Sequence, residues 1–80
     1  MLPFSSSRRL VAADLRGLSR WQLEVARNEI YARHGRAFKR ADLRAHFGAQ
    51  PWYSEAFSFS ESELSSIEKQ NVEFIRQHER

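Results

Sequence analysis

Tyr31, Arg33, His34 and Arg36 crowd into six consecutive positions, and Trp52 and Tyr53 stand side by side farther along the chain. Arginine and histidine hold carboxylates or phosphates, and a Trp-Tyr pair offers a flat face to a sugar or a peptide. These six residues are therefore a candidate ligand site. His34 with Glu29 or Glu68 can also be drawn as an acid–base pair, but nothing around it supports catalysis. The chain has no cysteine and only three glycines. It offers no serine in a recognisable nucleophile setting, no carboxylate cluster for a metal and no glycine-rich phosphate loop. His34, His46 and His78 lack the paired spacing of a metal motif, so neither a metal nor a cofactor is expected. The chemistry indicated is binding, not turnover.

A second polar group has a structural meaning. Arg27 and Asn28 sit among apolar positions of one segment, and Glu68 and Asn71 sit on or beside the apolar face of another. An unpartnered buried polar group costs roughly 1–3 kcal/mol. Asn71 and Glu68 are therefore expected to meet Arg27, Asn28 or His34 and set the register of the two segments, and Asn71→Leu should either destabilise the domain or loosen its uniqueness. Glu29 and Arg33, four apart, are expected to pair on an exposed edge for about 0.3–0.5 kcal/mol.

The element that must position most of these groups is Trp21 to Gly35, WQLEVARNEIYARHG. At about 100° per residue, Leu23, Ala26, Ile30 and His34 form one stripe, and Trp21, Val25, Asn28 and Ala32 form another nearly opposite. A helix apolar on two sides must be covered on two sides. Trp21→Ala is accordingly expected to cost about 3 kcal/mol. Ser19 is the N-cap, Gln22 its capping-box partner, Leu18 and Leu23 a hydrophobic staple, and Gly35 the left-handed stop.

Around this helix the chain reads as follows. Residues 1–11 form an extended arm pinned by Leu2, Phe4 and Leu10, and residues 12–15 make one helical turn ending near Gly17. A short helix over 40–47 presents Leu43 and Phe47 and has a poor cap, since Lys39 and Arg40 bring no acceptor. Residues 49–59 carry Trp52, Tyr53, Phe57 and Phe59, a loop too aromatic to be a solvated linker. Ser60 with Glu63 then caps a last helix over 60–78, with Leu64, Ile67, Asn71, Phe74, Ile75 and His78 on one face. The expected fold is all-α, a small bundle of three main helices at 20–34, 40–47 and 60–78. Its core should hold Trp21, Leu23, Ala26, Ile30, Phe38, Leu43, Phe47, Trp52, Leu64, Ile67, Phe74 and Ile75. No apolar run approaches the roughly 20 residues of a membrane span.

The net charge of +3 hides an asymmetry: residues 1–50 hold ten Arg or Lys against four acids, and residues 51–80 hold three against six. Packing of a basic half on an acidic half explains this as well as an external polyanion does. Nucleic-acid binding is the alternative function, with Arg8, Arg9, Arg16, Arg20, Arg36, Lys39, Arg40 and Arg44 as its basic surface.

From Ala26 to Gly35, ARNEIYARHG, the chain resembles the YARHG domain, a bacterial family named for five of these residues. The resemblance extends through Ser7-Arg8-Arg9-Leu10, Asp14-Leu15, Gly17-Leu18, Phe38, Phe47, Trp52-Tyr53, Leu64, Ile67-Glu68 and Asn71. It covers nearly the whole chain and implies one domain over residues 1–80. It further implies a non-catalytic module of envelope-associated or secreted bacterial proteins, lying outside the cytoplasm and engaging a cell-wall polymer or a protein partner. Met1-Leu2-Pro3-Phe4 is too short for a signal sequence, so export would require that the chain be excised from a longer exported protein.

Overall fold

The central helix begins where its own side chains satisfy its first turn. In the computed structural model, which describes residues 2, 4–56 and 58–79, the Gln22 backbone N–H donates to Ser19 Oγ at 3.1 Å, and the Ser19 N–H donates to Gln22 Oε1 at 2.8 Å. This reciprocal cap opens a helix over Arg20–Arg33. Gly35, just past its C-cap His34, stops it with a φ of +86° that L side chains rarely adopt. In chain order the helices are α1 (Ala12–Leu15), α2 (Arg20–Arg33), α3 (Ala41–Gly48) and α4 (Ser66–His78), with one 3-10 turn at Glu61–Glu63. The architecture is all-helical, with no strand among the described residues.

Both sides of α2 are covered. On one, Leu23, Ala26, Ile30 and Tyr31 pack with Leu2, Leu10 and Leu15 from the N-terminal segments and with Leu64, Val72 and Ile75 from the last. On the other, Val25 and Ala32 pack with Phe38, Leu43 and Phe47, and Tyr53 leans on them. Phe38 and Phe47 stack at 4.9 Å between centroids. The aromatic loop folds down at both ends, with Tyr53 against Phe38 and Phe59 edge-on to Tyr31 at 5.9 Å. Phe57 lies outside the described residues.

Four expected core positions are corrected. Trp21 is 40% exposed and Trp52 47%. Trp21 occupies the first turn of α2, with its ring perpendicular to that of His46 of α3 at 6.4 Å between centroids. Trp52 stands on the turn after α3 with one side against Phe47. Ile67 and Phe74 are only half-buried. The inward face of α4 is Glu68, Asn71, Val72 and Ile75, turned from the expected one because the N-terminal arm, besides α2, packs against it.

The last helix also starts later than Ser60. Ser60 and Glu63 do form a reciprocal cap, but over the 3-10 turn. A second cap follows five residues on: the Glu68 N–H donates to Ser65 Oγ at 3.1 Å and the Ser65 N–H to Glu68 Oε1 at 2.9 Å. An N-cap requires extended backbone, so Leu64 and Ser65 leave helical geometry (ψ 142° and 167°). That break lets Leu64 reach the core.

The arm is likewise not extended. Residues 4–7 form consecutive turns, with the N–H groups of Ser7 and Arg8 donating to Phe4 O at 3.0 and 3.1 Å. Arg8 spans the coil, its guanidinium 4.0 Å from the Phe4 ring centroid and doubly bonded to Asp14 at 3.1 Å.

Candidate functional site

Arg33, the last residue of α2, points at the arm. Arg33 Nη1 donates to Ser5 Oγ at 2.6 Å and Ser6 Oγ at 2.8 Å, and Nη2 to the Leu2 carbonyl at 2.7 Å and to Glu29. Glu29 is buried. The Glu29–Arg33 pair is thus the base of an inward clamp, correcting its expected place on an exposed edge. Burial forces this arrangement, since a guanidinium facing turned-in backbone must find acceptors for its donors.

His34 continues the clamp one step along. Its Nε2 lies 2.9 and 3.1 Å from the two oxygens of Glu68, which also accepts from Ser6 Oγ at 2.6 Å and from the Ser65 N–H. Burial pushes the Glu68 carboxyl up, but the bonds from Ser6, Ser65 and His34 outweigh it and hold the group below its ordinary range. A depressed carboxylate stabilises the fold above its unfolded-state pKa, and that contribution is lost as pH falls through the folded-state value. Glu68→Gln is therefore expected to lower stability at neutral pH and flatten the decline below about pH 4.5, as read by urea unfolding at a series of pH values. An unchanged acid limb would place the sensitive carboxylate elsewhere.

Asn71 completes the attachment. The Leu10 N–H donates to its Oδ1 at 2.8 Å, and its Nδ2 donates to the carbonyls of Ser5 at 2.7 Å and Arg8 at 2.8 Å. Asn71 thus meets the arm's backbone, not Arg27, Asn28 or His34. Arg27 bonds Glu79 through Nε at 2.6 Å and Nη2 at 3.2 Å. Asn28 turns back on its own helix, donating to the Glu24 carbonyl at 2.8 Å. Among the described residues no buried side-chain nitrogen or oxygen lacks a partner.

The six candidate ligand residues therefore separate. Arg33 and His34 are engaged by the arm and α4. Tyr31 is buried, its hydroxyl 3.3 Å from Glu61 Oε1, and burial and then the Glu61 charge raise its pKa. Arg36 lies over the Tyr31 ring at 4.8 Å. The Tyr53 hydroxyl donates to the Arg36 carbonyl at 2.5 Å, bracing that segment. Trp52 alone of the six is largely exposed, and Arg36 borders an open cleft of about 470 Å³ with Glu55, Ser58, Phe59 and Glu61.

Ser5, Ser6, Glu79 and the pairing of Trp21 with His46 were not expected from sequence. The three consecutive serines held the one available signal, small hydroxyls that fit under a guanidinium. Among the described residues no three His, Asp or Glu groups could hold a metal ion together, and no helix is long and apolar enough to cross a membrane.

Comparison with curated proteins and with solved structures finds no match. The family model described as YARHG domain, a periplasmic or extracellular module of a non-catalytic type and of uncertain function, matches residues 1–80. The helix that clamps the arm carries the sequence for which that family is named, and this chain belongs to the YARHG domain family.

Proposed function

We propose that this chain, as one domain over residues 1–80, is a non-catalytic binding module of an exported bacterial protein that engages a cell-wall polymer. The observation that carries the reading is the placement of its two tryptophans. The fold buries Tyr31, Phe38 and Phe47, yet leaves Trp21 and Trp52 at the surface, 40% and 47% exposed. They are linked through ring contacts of His46 with Trp21 and Phe47, and of Phe47 with Trp52. Exposed indole faces beside an imidazole suit a sugar polymer, whose CH faces stack on aromatic rings while its hydroxyls take polar partners. The export association of the family supports a partner outside the cytoplasm.

The test is co-sedimentation of the chain with purified bacterial wall sacculi, alongside the Trp21→Ala/Trp52→Ala variant. Half-exposure limits the stability cost of each substitution to about 1–2 kcal/mol, below the roughly 3–5 kcal/mol of a fully buried aromatic. This corrects the larger cost expected for Trp21. Binding should weaken at least about tenfold, the equivalent of about 0.5–1.5 kcal/mol from each ring. Undiminished sedimentation of the variant would remove the aromatic face from the interaction. Retention on duplex DNA instead, falling steeply with salt, would favour the nucleic-acid alternative.

A further inference from the structure

Between the middle of α2, the connecting residues 36–40 and the start of α3 lies an open cleft of about 390 Å³ whose lining holds four cations and no acid. Arg27, Arg36, Lys39 and Arg40 surround Asn28, Phe38 and Leu43. Two of the cations are already neutralised, Arg27 by Glu79 at 2.6 Å and Arg40 by Asp42 at 2.7 Å and Glu24 at 3.2 Å. Arg36 and Lys39 have no carboxylate partner among the described residues. Arg36 is also preorganised, its guanidinium stacked on Tyr31 and its carbonyl held by the Tyr53 hydroxyl. Arg40 stands at the N-cap of α3 with no side-chain cap, and Asp42 in the first turn accepts from the Leu43 N–H at 2.8 Å, so the field of the cleft rests on Arg36 and Lys39.

We propose that this cleft binds one acidic group, a carboxylate or phosphate on a sugar or polyol unit, with Arg36 and Lys39 as the contacting cations. A rigid guanidinium fork and a mobile ammonium together satisfy a three-oxygen or two-oxygen anion. A duplex fits less well, because two unpaired cations neutralise few phosphates. Only the source of the acid rests on the polymer-binding reading; the charge of the cleft stands without it.

The test is an NMR titration of the full 80-residue chain, labelled with nitrogen-15. The probes are D-glucuronate, glycerol 1-phosphate, uncharged glucose and a short DNA duplex, at low salt. Saturable shifts at the amides of Arg36, Lys39 and Ala41 are expected with one or both acids and not with glucose. Response to glucuronate alone assigns a carboxylate, to glycerol phosphate alone a phosphate, and to both their shared charge. Lys39→Gln changes an exposed side chain and leaves the fold intact. It should weaken the acid at least about fivefold, and Arg36→Gln with it at least about tenfold, the loss of charge-assisted contacts. No saturable response to either acid, shifts unchanged in Lys39→Gln, or saturation by the duplex alone would each overturn the proposal. The Trp21→Ala/Trp52→Ala variant should keep the acid response even where it loses the wall, so failure of one reading is distinguishable from failure of the other.

Discussion

Asn71→Leu is expected to remove about 3 kcal/mol or more from the unfolding free energy and to release the N-terminal arm. The variant keeps the branched shape of the side chain and deletes all three of its bonds. The Leu10 N–H and the Ser5 carbonyl then lose their partner in the interior, each at roughly 1–3 kcal/mol, and the Arg8 carbonyl loses its partner in a partly buried place. The chain cannot leave them there, so the arm should lift. That also exposes Leu2 and Leu10, which are 6% and 5% accessible in the fold, and each fully buried leucine is worth about 1.5–3 kcal/mol. Urea unfolding reads the loss, and amide exchange at Leu10 should accelerate before global unfolding. Because Arg33 holds the same arm through Ser5, Ser6 and Leu2, Arg33→Met and Asn71→Leu should be strongly non-additive. Additive losses, or an Asn71→Leu cost under about 1 kcal/mol, would mean that the arm contributes little to the fold.

Gly35→Ala is expected to cost about 2–4 kcal/mol, for two separable reasons. A left-handed backbone costs a non-glycine residue about 1–2 kcal/mol, and φ at Gly35 is +86°. The added Cβ would also lie 2.6 Å from Ala56 Cβ and 2.7 Å from Ala56 N. Ala56 is held there by its own N–H donating to the Gly35 carbonyl at 2.8 Å. Relieving the clash therefore breaks the bond that ties the loop to the end of α2. Gly17 separates the two causes, having φ of +80° with nothing within 4 Å of the place a methyl would occupy. Gly17→Ala should cost about 1–2 kcal/mol, and thermal unfolding of the pair isolates the clash. Equal losses at both sites would show that the loop yields and that close packing at Gly35 is unimportant.

The arm explains why the family motif reads so clearly and yet describes no open site. Arg33 and His34 were legible as polar groups at the end of an apolar helix, and the expected pairing of Glu68 with His34 is present at 2.9 Å. Their chief partners were not legible. Ser5 and Ser6 sit in a tract with no periodicity, and no helical phase predicts that such a tract coils and returns across two helices. Similarly, the phase of α4 placed Asn71 inward, but its bonds go to backbone 61 to 66 residues away.

What could be read from the chain was local. The cap of Ser19 by Gln22, the stop at Gly35, the two apolar sides of α2 and the all-helical class each depend on residues within a turn or two of one another. A side-chain oxygen three positions from an amide, or a methyl four positions from another, acts before the rest of the chain has a shape. Tertiary structure decided which segment covers which side. It opened the last helix at Ser65, left Trp21 at the surface because α3 ends beside it, and turned Arg33 and Asn71 into holders of the arm. The reason is physical: a buried donor must be satisfied by whatever acceptor the folded chain brings within about 3 Å, and that neighbour is set by the path of the whole chain.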